Sequence, residues 1–162
     1  MKVLGIAIAA GALQYGALQY GPTTSLIPGA PERLVKANGL TGTDLVADTY
    51  RRIKQDIHGM SPSLVILVAT RKYAQWPYRP AADRASLETL VHLACHEEGI
   101  RCEEWKTDKI GKLLEVPPKA IDSFELEQLG LTTRPVYWTQ GRGDAFAAAL
   151  AALYESTAQT DR

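Results

Sequence analysis

The feature that most constrains this chain is the run KVLGIAIAA at residues 2–10, apolar after its lysine and closed by Gly11. An unbroken apolar run of this kind suits a strand buried on both faces in the middle of a sheet. It is too short to span a bilayer, contains Gly5 and flows straight into a patterned segment, so a first strand accounts for it better than a signal or membrane segment. The tandem ALQYG-ALQYG at residues 12–21 then alternates and turns. It reads as a second strand paired with the first across Gly11, and two copies of five residues make no solenoid. Residues 23–35 are broken by Pro28, Gly29 and Pro31, and have room for a short third strand at an edge, where proline is tolerated.

Residues 41–60 set Leu45, Val46, Tyr50, Ile53 and Ile57 close to one helical stripe, with Thr43 as N-cap and Gly59 as stop. SLVILVAT at residues 63–70 is a second buried strand, and a strand, crossover helix and parallel strand form a right-handed unit. Residues 71–83 read as an irregular loop at the carboxyl end of that strand, where open α/β sheets place ligands. A helix over 84–98 follows, with Leu87, Leu90, Val91 and Ala94 inward and Gly99 closing it. Next come a strand over 100–106, a short helix over 108–115, a further helix over 118–131, and a loop ending in GRGD. The closing helix starts at Asp144, its N-cap, and is rich in alanine. The expectation is one α/β domain over residues 1–158 with a frayed end at 159–162. Its central mixed sheet begins with an antiparallel hairpin, continues with parallel strands and is flanked by helices.

At 162 residues and 46% hydrophobic, the chain can bury one respectable core. Eighteen basic side chains balance eighteen acidic ones, so contact with nucleic acid or an anionic surface must come from a local patch. Cys95 and Cys102 read as reduced, buried thiols, which fits a cytoplasmic protein with no membrane role.

Arg71, Lys72, Tyr73, Trp76, Tyr78 and Arg79 interleave cations with aromatics. That chemistry grips a phosphate backbone while stacking on bases, although Trp, Tyr and Arg also anchor protein interfaces, and Trp76 and Tyr78 could simply pack onto the domain. His92, Cys95 and His96, with Cys102 beyond the turn, have zinc-like spacing, but the inward stripe leaves both histidines outward and no metal site is expected there. Gly141-Arg142-Gly143 could open an anion site at a helix N-terminus, a role that capping by Asp144 would pre-empt. No phosphate-loop lysine accompanies Gly39, Gly42 and Thr43, and neither GxSxG nor HExxH occurs.

The order of elements resembles the ribonuclease H-like superfamily, and three segments make RuvC-type resolvases the nearest match. Val3-Leu4-Gly5-Ile6 followed by a turn and Tyr15-Gly16 is similar to that family's first hairpin. Residues 85–114, with Lys109-Ile110-Gly111-Lys112, resemble its middle, and Asp144-Ala145-Phe146-Ala147-Ala148-Ala149 resembles its last helix. The resemblance implies two metal ions clamping a phosphodiester, held by carboxylates at the ends of separate elements. On this chain the family's first-strand aspartate falls on Ala7, and the glutamate of the next long strand falls at or near Leu67 or Arg71. On the last helix Asp144 fits, while its partner one turn earlier falls near Gly141. One remnant carboxylate cannot hold two metals, and a cation at Arg71 would repel them.

The expected function is therefore a catalytically degenerate RuvC-like domain that acts by binding, as a nucleic-acid-associated or adaptor subunit of a larger assembly, with no cofactor. One alternative is a magnesium-dependent endonuclease whose first-strand aspartate has been replaced by Ala7, or whose site is rebuilt by Asp83, Glu88 or Asp108. Another is a pure protein-interaction module. DNA or RNA, a protein partner and a homodimer packed through the alanine-rich last helix all stay open as partners.

Overall fold

A computed structural model describes residues 1–69 and 76–160. The chain runs β1 (Lys2–Ala9), β2 (Ala12–Tyr20), β3 (Thr24–Leu26), β4 (Arg33–Val35), α1 (Gly42–Met60), β5 (Leu64–Val68), α2 (Tyr78–Glu98), β6 (Arg101–Trp105), α3 (Thr107–Leu114) and α4 (Arg142–Thr160). Between α3 and α4 lie three 3-10 turns at Pro118–Ser123, Leu126–Leu129 and Trp138–Gln140.

The six strands form one mixed sheet in the order β3-β2-β1-β5-β6, with β4 also on β2. β1 and β2 are antiparallel and pair Gly5 with Gly16 and Ala7 with Gln14, while β1, β5 and β6 run parallel. The broken stretch after β2 supplies two short strands rather than one. β3 takes Leu18 to Tyr20, and β4 takes Ala12 to Gln14.

Alternation along β1 divides the core. Leu4, Ile6 and Ile8 face α1 and α2, packing with Ile53, Ile57, Leu87 and Val91. Val3 and Ala7 face α3, α4 and the 3-10 turns, packing with Phe146, Trp138 and Ile110. A strand clothed on both sides must be apolar at every position, which is what the opening run displays.

Gly5 and Gly16 let α4 lie directly on the sheet. A Cβ at Gly5 would sit 1.8 Å from the Ala145 carbonyl oxygen, and one at Gly16 would sit 2.3 Å from the Phe146 nitrogen. The alanines of α4, from Ala145 to Ala152, are accordingly buried in the chain's own core. The small-residue stripe expected to meet a second copy is used internally, because two backbones approach this closely only without side chains between them.

Several boundaries differ from expectation. Thr41, not Thr43, precedes α1, and the helix continues through Gly59 to Met60. Ser61 ends it in the left-handed region, its hydroxyl donating to the His58 carbonyl at 2.9 Å, and Pro62 prevents continuation. Residues 118–131 form no continuous helix. Ala120 leaves helical geometry at φ −142°, and the short turns serve to press Ile121, Phe124 and Leu129 into the core under α4. α2 begins at Tyr78, inside the expected loop, since Pro77 precedes it and Pro80 falls in the first turn, where a missing N–H costs nothing. α4 begins at Arg142, so Asp144 lies in its first turn and is not the N-cap.

Candidate functional site

β1 and β5 end side by side, and beyond their carboxyl ends lies a cleft of about 310 Å³. Its floor is Ala7, Ile8 and Ala9 from β1 with Val68 of β5 and Ala69 just beyond it; Trp76, Arg84, Lys119, Gly141 and Asp144 are among its walls. A second hollow of about 440 Å³, shared through Trp76 and Arg84, adjoins it along Ala10, Gly11 and Asp83.

Arg84 is the most heavily bonded of these side chains. It lies one helical turn before Leu87 on the inward stripe of α2, at the level where the helix passes the end of the sheet. Its side chain therefore meets strand termini instead of the core. One terminal nitrogen donates to the Ile8 carbonyl at 2.5 Å and the other to the Val68 carbonyl at 3.4 Å, tying β1 to β5. Nε lies 3.4 Å from Glu88 one turn on, and the guanidinium carbon is 5.7 Å from the Trp76 ring centroid. The side chain is only 15% exposed. Burial pulls its pKa below the usual arginine value, and the Glu88 carboxylate acts in the opposite direction. Lys119 is exposed on the 3-10 turn after α3 and adds a second cation to the cleft.

Ala7 and Asp144 both line this cleft, and Gly141 lies there too. Leu67 is fully buried and faces the α1–α2 side, so it lies outside the cleft, and the end of β5 presents Val68 and Ala69 instead. Gln14, opposite Ala7, is buried with its Oε1 lacking a hydrogen-bond partner. Gly141, at φ 110°, closes over it, since a Cβ there would lie 3.3 Å from the Gln14 Cγ. That amide oxygen is sealed beneath the cleft and does not line it.

The Gly141-Arg142-Gly143 segment is structural. Arg142 is buried, donating from Nε to the Tyr15 carbonyl at 3.0 Å, and Gly143 leaves room for Trp138, which a Cβ would approach to 2.8 Å. Of the expected aromatic and basic loop, Arg71, Lys72 and Tyr73 lie outside the described residues. Trp76 is half-buried between the two hollows, whereas Tyr78, 85% exposed, and the exposed Arg79 stand on the first turn of α2. Asp83 pairs with Lys36 at 3.5 Å and lines the second hollow, and Glu88 lies 3.4 Å from the Arg84 Nε. His92 and His96 are exposed, and the buried Cys95 thiol donates to Cys102, a contact that with burial raises Cys95 far above its usual pKa. Arg84, Lys119 and Gln14 were not among the expected site residues. The visible signal was Arg84 itself, a charged residue on the inward stripe of an amphipathic helix.

No sequence-family profile and no curated protein sequence matches the chain. Solved structures do. Thermus thermophilus RuvC superposes with a TM-score of 0.76 at 20% identity, over 99% of this chain and 98% of that one. The fold is that of the RuvC-type, ribonuclease H-like resolvases. The T. thermophilus RuvC complex with a Holliday junction substrate gives 0.74 at 21% identity, over 99% and 97% of the two chains. The yeast mitochondrial Holliday junction resolvase Ydc2 gives 0.62 at 13%, over 96% and 78%.

The RuvC fold implies a divalent metal at the strand ends, and the residues present here do not fit one. Among the described residues, the cleft is lined by one carboxylate, Asp144, and by the guanidinium of Arg84. At an effective dielectric of about 20, a divalent ion roughly 5 Å from a guanidinium is repelled by about 6–7 kcal/mol, the size of the attraction a lone carboxylate gives at that range. Among the described residues, no group of three or more His, Cys, Asp or Glu is placed to hold a metal, and no helix is long and apolar enough to cross a membrane.

Proposed function

We propose that this chain is a RuvC-fold domain that binds nucleic acid across the cleft at the ends of β1 and β5 without hydrolysing it, as a subunit or adaptor of a larger assembly. The observation that carries this is the exchange of carboxylates for cations. Where two-metal chemistry needs converging acids, this cleft has Ala7, Ala69 and Gly141 beside Arg84 and Lys119. A phosphodiester carries one negative charge, and Arg84 and Lys119 supply cations to meet it beside Asp144, with Glu88 on the Arg84 Nε. Exposed Arg79 and Tyr78 extend basic and aromatic surface along the start of α2. Further support comes from the neighbour solved with a Holliday junction substrate, which shares the fold along nearly its whole length.

The test is a gel-shift series with labelled four-way DNA junction, DNA duplex, single-stranded DNA and RNA, each mixture also run on a denaturing gel after incubation with magnesium or manganese. Retarded but intact probe is the expected result. Cleavage would restore the metal-dependent endonuclease, and absence of any shift would favour the protein-interaction module.

A further inference from the structure

We infer that Arg84 is a built-in replacement for the divalent ion, a fixed cation that joins the ends of β1 and β5 and holds a phosphodiester oxyanion in the cleft with no metal present. This rests on the nucleic-acid role proposed above and names the group that performs it.

The first support is position. Arg84 comes from α2, on the far side of the sheet from α4, yet its guanidinium reaches the cleft that Ala7 and Asp144 line. The second is coordination. Its two terminal nitrogens hold carbonyl oxygens of neighbouring parallel strands, Ile8 and Val68, 76 and 16 residues away in sequence. A planar guanidinium can bridge oxygens of separate strands through directed donors, where a metal ion would use a coordination sphere. The third is stiffness. At 15% exposure, with Glu88 on Nε and Trp76 beside it, the charge is held in place and contributes without an ordering step. Lys119 contributes charge from the facing wall.

The assignment makes metal independence a property of the binding site. A cleft that used a metal would lose its ligand on chelation. This one is indifferent, and divalent ions compete only by screening.

Fluorescence anisotropy with a labelled four-way DNA junction and a DNA duplex, at constant ionic strength, tests this on the wild-type chain, Arg84→Gln and Arg84→Lys, each in magnesium and in EDTA. The wild type is expected to bind equally in both buffers, within about twofold. Arg84→Gln should lose about tenfold or more in both, as expected for a lost charge-assisted contact, with no rescue by magnesium. Arg84→Lys should fall between, because one ammonium supplies the charge but not the two-strand fork. Chelation-sensitive binding by the wild type overturns the assignment, as does wild-type affinity in a folded Arg84→Gln. If Arg84→Gln fails to fold by circular dichroism, the wild-type EDTA comparison and Arg84→Lys decide. Failure of the wild type to bind either probe in either buffer overturns the nucleic-acid role itself, and the assignment with it.

Discussion

Arg84 donates to the carbonyl oxygen of Ile8 at 2.5 Å, joining the first turns of α2 to the last residues of β1 across 76 positions of sequence. The contact sits at the carboxyl ends of β1 and β5, in the cleft that Ala7 and Asp144 also line.

Removing that cation leaves two partly buried carbonyls, Ile8 and Val68, without this donor. Arg84→Met should therefore lower unfolding free energy by about 1–3 kcal/mol, measured by urea denaturation. An unchanged midpoint would mean that water replaces the guanidinium without cost.

An aspartate at position 7 alone should not create a metal site. Ala7 is 5% exposed beside Gly141, so an aspartate there is desolvated, and the cleft cation opposes a divalent ion. Ala7→Asp is expected to melt lower than the parent and to show no added stabilisation from magnesium or manganese in a thermal-shift titration. A rise in melting temperature with metal would show a site one residue short of complete.

Glycine positions give a sharper contrast. Gly16→Ala drives a Cβ into the backbone of α4 and should cost about 3 kcal/mol or more, or prevent folding. Gly59→Ala, inside α1 with open space around it, should gain about 0.5–1 kcal/mol. Chemical denaturation of both variants checks the pair, and equal effects would contradict the close α4–sheet packing.

Asp56 accepts a hydrogen bond from the buried Tyr15 hydroxyl at 3.1 Å, and burial raises its pKa above the usual carboxylate range. In the window between its unfolded and folded pKa, the native state binds more protons than the unfolded state. Its contribution therefore favours folding at mildly acidic pH and is lost as pH rises through the folded value. Asp56→Asn should remove that component, so the stability difference between variant and parent changes as pH rises from the ordinary carboxylate value through the raised folded one. A difference constant over that range would contradict the assignment.

Much of the fold was legible because its signals are local. The run at β1 and the stripe of α2 each report their own burial, whereas the alternation of β2 does not, because residues 12–18 are all buried. The glycines and alanines of β1, β2 and α4 were readable one by one, but their meaning was not, because Gly16 and Phe146 meet only in three dimensions. The site was half legible for a similar reason. Ala7 and Asp144 could be aligned to a resemblance, whereas Arg84 looked like an ordinary start of a helix until its side chain was seen to end on β1 and β5. Residues 118–131 misled because their apolar content serves α4 through short turns.

Lys119 is exposed, so its replacement spares the core. Lys119→Gln should weaken nucleic-acid binding about equally for every probe sequence and reduce the slope of log affinity against log salt by about one. A change confined to one probe would mean that Lys119 reads structure or sequence.

The central claim is binding without hydrolysis, and one measurement meets it directly. The wild-type chain is incubated with a doubly end-labelled four-way DNA junction in magnesium, in manganese and in EDTA, and each sample is split between native and denaturing gels. The account predicts a retarded complex in all three conditions and full-length strands throughout. Metal-dependent nicking of the junction, or a complex that disappears in EDTA, would contradict it.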